Sequence, residues 1–298
     1  MLNSRENIGL LLGLIGVTIF AGTLPAARLA VPFIDPWFLT FARATIAGLL
    51  AIVIVIATRR PLPPRHTWPS LVTVAFCLVI GFPALSTLAM VTVPAAHGSV
   101  VLGILPLATA TTAAILAHER PNPTFWLAGV AGAAIVVTFA FRHNGAGSLA
   151  AGDLLLLVSI LTCAIGYTLS AKLSALMSGW EVICWVVILM LPLTLLGTIL
   201  FWPPDIGSIP TPAWASLFYV AFMSQLLGLF AWSAGLAMGG IAKVGQVQLL
   251  QPFISVGLAA LINREPIDVE TVLFAAAVVA TVMIGRITRV ARPLKPQG

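Results

Sequence analysis

Charge is what this chain has least of. Only 8 % of its 298 residues are Asp, Glu, Lys or Arg, while 60 % are apolar. Mean hydropathy is +1.08, which excludes a soluble domain of this size. Short segments of alternating polarity are also missing, so a membrane barrel is excluded as well. The three cysteines, Cys77, Cys163 and Cys184, all sit inside apolar runs, which argues for small buried side chains and against a disulfide framework or a metal cluster. HExxH, CxxC, P-loop and Gly-x-Ser-x-Gly patterns are absent, leaving hydrolytic or ATP-driven chemistry without a motif. His66, His97, His118 and His143 are scattered without metal-ligand spacing. No metal, no cofactor and no catalytic residue is therefore implied, and the chain is not read as an enzyme.

What remains is a series of apolar runs, each long enough to cross about 30 Å of hydrocarbon. The spans predicted are roughly 7–26, 35–58, 70–92, 96–117, 123–141, 152–171, 180–201, 213–237, 241–262 and 270–286. Ile8 to Phe20 mimics a signal peptide, but it is needed as the partner of the run beginning near Asp153. Pro and Gly mark the joints, as in Pro61-Leu62-Pro63-Pro64, Pro121-Asn122-Pro123 and Gly239-Gly240. With the N-terminus inside, Arg5, Arg59, Arg60, Arg65, Arg120, Lys172, Arg286, Arg289, Arg292 and Lys295 fall on the cytoplasmic side. Arg28, Arg142 and Arg264 fall on the other, together with most of the acids. That asymmetry predicts a multi-pass membrane protein with both termini cytoplasmic. The net charge of +6 therefore reflects topology, with the lipid bilayer and not nucleic acid as partner. Trp37, Trp68, Trp126, Trp180, Trp202 and Trp214 fall near span ends, where indole rings anchor at headgroups.

The two halves repeat. An offset of 146 residues places Trp68, Ser70, Leu71, Ala75 and Phe76 on Trp214, Ser216, Leu217, Ala221 and Phe222. It also places Pro106 on Pro252, Ala113-Ala114 on Ala259-Ala260, and Glu119 on Glu265. Five spans per half is odd, so the second half enters the membrane inverted. The expectation is an all-α polytopic protein of ten transmembrane helices: residues 1–145 form one repeat, and 146–298 the second, with a short basic tail. Inverted repeats are the architecture of secondary transporters, whose substrate site lies near the midplane between them.

Polar residues within spans are the candidates for that site, because hydrocarbon penalises them. Lys243 and His97 are related by the same offset, and each opens the fourth span of its half after a helix-interrupting dipeptide. A helix start presents free N–H groups and a positive dipole end, which suits a carboxylate; a lysine snorkelling to the interface is the alternative. Gln246, Gln248, Gln251 and Ser255 follow, the last three on one arc of an ideal helix, facing a partner helix or a wet cavity. Ser224 and Gln225 form a second polar patch. Phe82, Tyr167, Trp185 and Trp232 are candidates for contact with an apolar substrate part, or for packing. Arg43 lies inside the second span, and its counterpart region near Val186 is apolar; a structural role is favoured. Pro83, Pro106 and Pro252 are hinge candidates, and Gly9/Gly13, Gly129/Gly132 and Gly235/Gly239 permit close helix approach.

These residues resemble the EamA-like drug/metabolite transporter superfamily. The resemblance rests on Arg43 and on two strings, Leu105-Pro106-Leu107 through Glu119-Arg120-Pro121 and Leu250-Gln251-Pro252-Phe253 through Arg264-Glu265-Pro266. It covers nearly the whole chain and is strongest for bacterial inner-membrane exporters, particularly of aromatic amino acids. It implies a ten-helix bundle with cytoplasmic termini that exports amino acids or related metabolites by alternating access, with Glu119 and Glu265 as local caps or pairs. All nine acids are expected at span ends or in loops, which disfavours cation efflux and proton relay and leaves uniport or exchange. One cation, several amides and nearby aromatics suit a zwitterion with an apolar side chain. Another metabolite or drug exporter, a channel-like facilitator and a membrane enzyme stay open as alternatives. A monomer is compatible with this reading.

Overall fold

A computed structural model describes residues 4–116, 123–143, 151–174, 176–239 and 245–287. Every regular element among them is helical. Among the described residues, seven helices are long and apolar enough to cross a membrane: Asn7–Ala30, Pro36–Ala57, Arg65–Thr92, Ala95–Leu116, Ala151–Leu173, Gly179–Leu200 and Thr211–Gly235. Trp126–Phe139, Val247–Asn263 and Val269–Ile284 are shorter apolar helices. Their outward faces carry Leu49, Val53, Ile56, Leu127, Leu161, Leu196 and Leu273, all exposed. A soluble monomer does not leave so much apolar surface open; a multi-pass membrane protein does.

Several of these spans are interrupted, for local reasons. The first consists of α1 (Ser4–Ala21) and α2 (Thr23–Ala30), broken at Gly22. Pro25 has no N–H to return to the Ala21 carbonyl, and the Ser255 hydroxyl donates to that oxygen instead, at 2.7 Å. Tyr219 donates to the neighbouring Ile19 carbonyl at 2.7 Å, and a Cβ on Gly22 would collide with that phenol. The second span, α3 (Pro36–Ala57), starts on Asp35, whose carboxylate accepts from the Trp37 and Phe38 N–H groups at 2.8 and 3.1 Å, a helix start that uses both an N-cap and Pro at the first position.

The next span runs α4 (Trp68–Ala75), a π-helical segment (Phe76–Gly81) and α5 (Phe82–Thr92). Its counterpart runs α11 (Thr211–Phe218), a π-helical segment (Tyr219–Gly228) and α12 (Leu229–Gly239). The two wide turns coincide under the 146-residue offset, and such segments gather at functional sites. Likewise, α6 (Ala95–Leu102) is separated from α7 (Leu105–Leu116), and a 3-10 turn (Gly245–Leu250) precedes α13 (Gln251–Asn263). Pro106 and Pro252 occupy equivalent positions at the start of the resumed helices, where their missing N–H groups leave the ladder open. The remaining helices are α8 (Pro123–His143), α9 (Ala151–Leu173), α10 (Gly179–Leu200) and α14 (Val269–Ile287).

Packing exchanges helices between the halves. The second half's α9 packs on α4, α5 and α7 of the first half, while α1 and α2 pack on α11, α12 and α13 of the second. Two bundles result, each completed by the opening helix of the other half. The pairs α3 with α10 and α8 with α14 flank them. Small residues set the closest approach: a Cβ on Gly235 would lie 2.7 Å from the Gly13 nitrogen and 2.9 Å from the Gly9 carbonyl. The expected small-residue contacts thus meet each other across α1 and α12. Gly132 similarly abuts Thr281 of α14. Of the belt tryptophans, Trp37, Trp68, Trp126 and Trp202 are exposed, and Trp180 lies under the Arg60 guanidinium.

Candidate functional site

A cavity opens where the interrupted segments converge. Its wall includes Leu78, Pro83, Leu102, Leu105 and Pro106 from the first half, and Ser224, Leu229, Gln248, Gln251 and Pro252 from the second. These are the same positions twice: 78/224, 83/229, 102/248, 105/251 and 106/252 each differ by 146. The repeat has built one cavity from two equivalent walls. Their chemistry differs, because Leu78, Leu102 and Leu105 face a hydroxyl and two amides at the matching places.

The polar wall is hydrogen-bonded across elements. Thr23, at the start of α2, pairs with Ser224 at 2.8 Å. Arg43 of α3 donates from Nη2 to the Gln225 Oε1 at 3.0 Å. Ser99 and Ser255 share a hydrogen bond between their hydroxyls at 2.6 Å, so α6 and α13 are joined beside the cavity. Phe20, Leu24, Phe82, Cys163 and Tyr167 supply apolar and aromatic surface. The space open to water centres is about 60 Å3, enough for a few waters at roughly 10–15 Å3 each.

Of the residues singled out in the sequence, Gln248, Gln251, Ser255, Phe82 and Tyr167 line this cavity, and so do Pro83, Pro106, Pro252, Ser224 and Gln225. The helical wheel used for the glutamines does not hold, because Gln248 belongs to the 3-10 turn and Gln251 starts α13; the two converge because the ladder restarts between them. Arg43 lines the cavity as well. Trp232 packs on α1, its backbone nitrogen 3.0 Å from where a Cβ on Gly16 would sit. Trp185 borders a different concavity, shared with Arg60, Pro61, Met177 and Glu181. Lys243 and Glu119 lie outside the described residues, as does the side chain of Gln246. Thr23 and Ser99 were missed: Thr23 had a signal in the Gly22/Pro25 interruption, whereas Ser99 matches Gly245 across the repeat and had none.

Comparison with known proteins agrees with this architecture. The model of the EamA-like transporter family matches twice, over residues 7–141 and 150–285. The chain belongs to the EamA-like transporter family. It is 45 % identical to the uncharacterized transporter YdeK of Bacillus subtilis (strain 168), over 96 % of this chain and 99 % of that protein. It is 21 % identical to the uncharacterized transporter YyaM of the same strain, covering 93 % of each. A crystal structure that is 18 % identical superposes with a TM-score of 0.63, covering 94 % of this chain and 96 % of the other, and shows the fold alone.

One end of this EamA-like transporter is latched by charge. Arg28 of α2 donates to the Met90 and Val91 carbonyls at 2.5 and 2.9 Å, closing the C-terminus of α5. Glu265, just beyond α13, accepts from the Ala95 and Ala96 N–H groups at 2.8 and 2.7 Å, capping α6. A cation on a helix C-terminus and an anion on a helix N-terminus each match the local dipole and satisfy orphan backbone groups. Beside them, the His97 Nε2 lies 2.7 Å from Asp153 of α9, with the ring stacked on Phe139 at 4.7 Å. Neither side chain is more than 1 % exposed. His97 is thus turned away from the cavity lining. Asp153 stands at a span end, since α9 begins at Ala151, but that first turn is enclosed by the bundle.

Proposed function

We propose that this EamA-like transporter exports amino acids with aromatic or other apolar side chains, or related small metabolites, across the bacterial inner membrane. The reading includes ten spans in two inverted repeats of residues 1–145 and 146–298, with both termini cytoplasmic. It is carried by one observation: the central cavity uses the same positions from both halves, yet Leu78, Leu102 and Leu105 of one stand opposite the hydroxyl and amides of Ser224, Gln248 and Gln251 of the other. Such a space accommodates a ligand with one polar and one apolar end. Water cannot satisfy the polar wall and an aliphatic wall equally, so orientation of the ligand follows from the cavity itself.

Alternating access follows from the bundle arrangement. Given the distribution of Arg and Lys, the end bearing Arg28 and Glu265 faces outward. There α2 packs against α5 and α6, and α6 against α13, joining the two bundles. At the other end α7 packs mainly on α9, and α12 on α1 and α10, each contact within or beside its own bundle. This arrangement supports an inward-facing conformer with a closed outer gate. The narrow cavity must widen for an amino acid, which relative rotation of the two bundles supplies.

Counterflow in proteoliposomes tests the proposal. Vesicles loaded with unlabelled phenylalanine, tryptophan, threonine or methionine are placed in trace labelled phenylalanine. Transient accumulation that depends on the internal amino acid is expected, since a carrier exchanges and a channel does not. Absence of counterflow with every amino acid would redirect the assignment to another metabolite class.

A further inference from the structure

Arg43 is the one cation among the described residues that line the cavity, and no Asp or Glu lines it with them. Its residue is only 3 % exposed. A guanidinium offers five N–H donors in a planar fork. Here Nη2 meets the Gln225 amide oxygen at 3.0 Å, while Nε is buried with no partner. No ion pair is formed by Arg43 among the described residues. A tether between α3 and the π-helical segment would need only a neutral amide or hydroxyl at this position. The scaffold does not call for a cation there either, because the residue 146 positions on is Leu189. An enclosed positive charge with unused donors, next to a cavity, lacks its anion.

We infer that Arg43 and Gln225 form the subsite that holds the carboxylate of the transported molecule. The inference rests on the export reading above and specifies which atoms recognise the ligand. Guanidinium N–H groups bind a carboxylate with short charge-assisted bonds. Gln225 accepts from Arg43 through Oε1, which fixes the guanidinium and leaves its own amide N–H2 as a further donor. Gln248 and Gln251 extend the polar wall beside this pair, and Leu102 and Leu105 stand on the wall that would receive the apolar part.

The test is ligand-induced thermal stabilisation of the purified full chain in detergent, with phenylalanine, phenylalaninamide and phenylpyruvate as probes. The wild type is expected to respond to both carboxylates and at least tenfold more weakly to the amide, about 1.4 kcal/mol. Gln225→Glu places a built-in carboxylate at 3.0 Å from Arg43 with almost no change in volume. This variant is expected to fold with unchanged or higher unligated Tm and to lose at least tenfold in affinity for both carboxylates. If Arg43 only tethers helices, the same variant strengthens the tether and leaves binding intact, which overturns the inference. Equal responses of the wild type to acid and amide overturn it too, while leaving amino acid export standing. If neither carboxylate binds, both readings fall together. Arg43→Met is the companion variant: where it folds, it is expected to bind acid and amide alike.

Discussion

The two walls of the cavity share a scaffold and divide the chemistry. Leu78, Leu102 and Leu105 stand where the other half has Ser224, Gln248 and Gln251, and all six line the same space. The backbone devices are common to both: coincident π-helical segments, and fourth spans interrupted ahead of Pro106 and Pro252. The matching positions explain the shared geometry, and the residue types at three of them explain the polarity. A symmetrical cavity would bind a ligand in either of two orientations. A cavity whose matching positions differ in polarity selects one.

The largest difference between matching positions of the two halves lies at 153/7. Asp153 is enclosed against His97, while the matching Asn7 is exposed. Asp153→Ala is expected to cost about 1–3 kcal/mol, because it removes a buried hydrogen bond to His97, whereas Asn7→Ala changes stability by less than about 0.5 kcal/mol. Thermal unfolding in detergent compares the two, and equal losses would mean that the enclosure of Asp153 does not matter. Making the walls alike is the next largest effect. Gln248→Leu together with Gln251→Leu removes two hydrogen-bonding groups at about 1 kcal/mol each, roughly 30-fold in apparent affinity for labelled phenylalanine. Unaltered counterflow would return both glutamines to packing.

The reciprocal change sharpens the comparison. Leu102→Gln puts an amide on the apolar wall and is expected to weaken phenylalanine transport by about tenfold while sparing more polar amino acids, since apolar burial contributes about 25 cal/mol per Å2. A uniform loss across substrates would show that this wall does not contact the side chain. The smallest effect concerns the latch. Glu265→Gln keeps an acceptor at the α6 N-terminus but removes the charge, about 0.3–1 kcal/mol at a helix end. A cysteine at Ser99, in a background without Cys77, Cys163 and Cys184, is then expected to react a few-fold faster with a hydrophilic thiol reagent added from outside. No change in rate would separate Glu265 from the gate.

Much of the site was legible because membranes penalise polarity. Gln248, Gln251, Ser255, Ser224 and Gln225 stand out from apolar runs by composition alone, and all reach the cavity. Phe82 and Tyr167 reach it as well, but Trp185 and Trp232 do not: aromatic residues are equally at home in packing, so their type carries no direction. Arg43 was read as structural from its unmatched position, and the cavity it borders could not be seen from one helix. Asp153 is a span-end acid by sequence, and its enclosure depends on α5 and α6, elements distant in the chain. Lys243, the strongest sequence candidate, lies outside the described residues.

By itself the sequence determined a helical membrane protein, the repeat with its 146-residue offset, and membership of a transporter family through the Pro-to-Glu strings. Hydropathy and local helix chemistry are properties of consecutive residues, so they survive without knowledge of neighbours. Only the tertiary structure decided that each bundle borrows the other half's first helix. It also decided that Arg43 meets Gln225, that Glu265 caps α6, and that His97 turns from the cavity to Asp153. The Arg43–Gln225 contact joins residues 182 positions apart, and nothing in a linear pattern fixes which of two equivalent faces a helix presents until the opposing helices have packed.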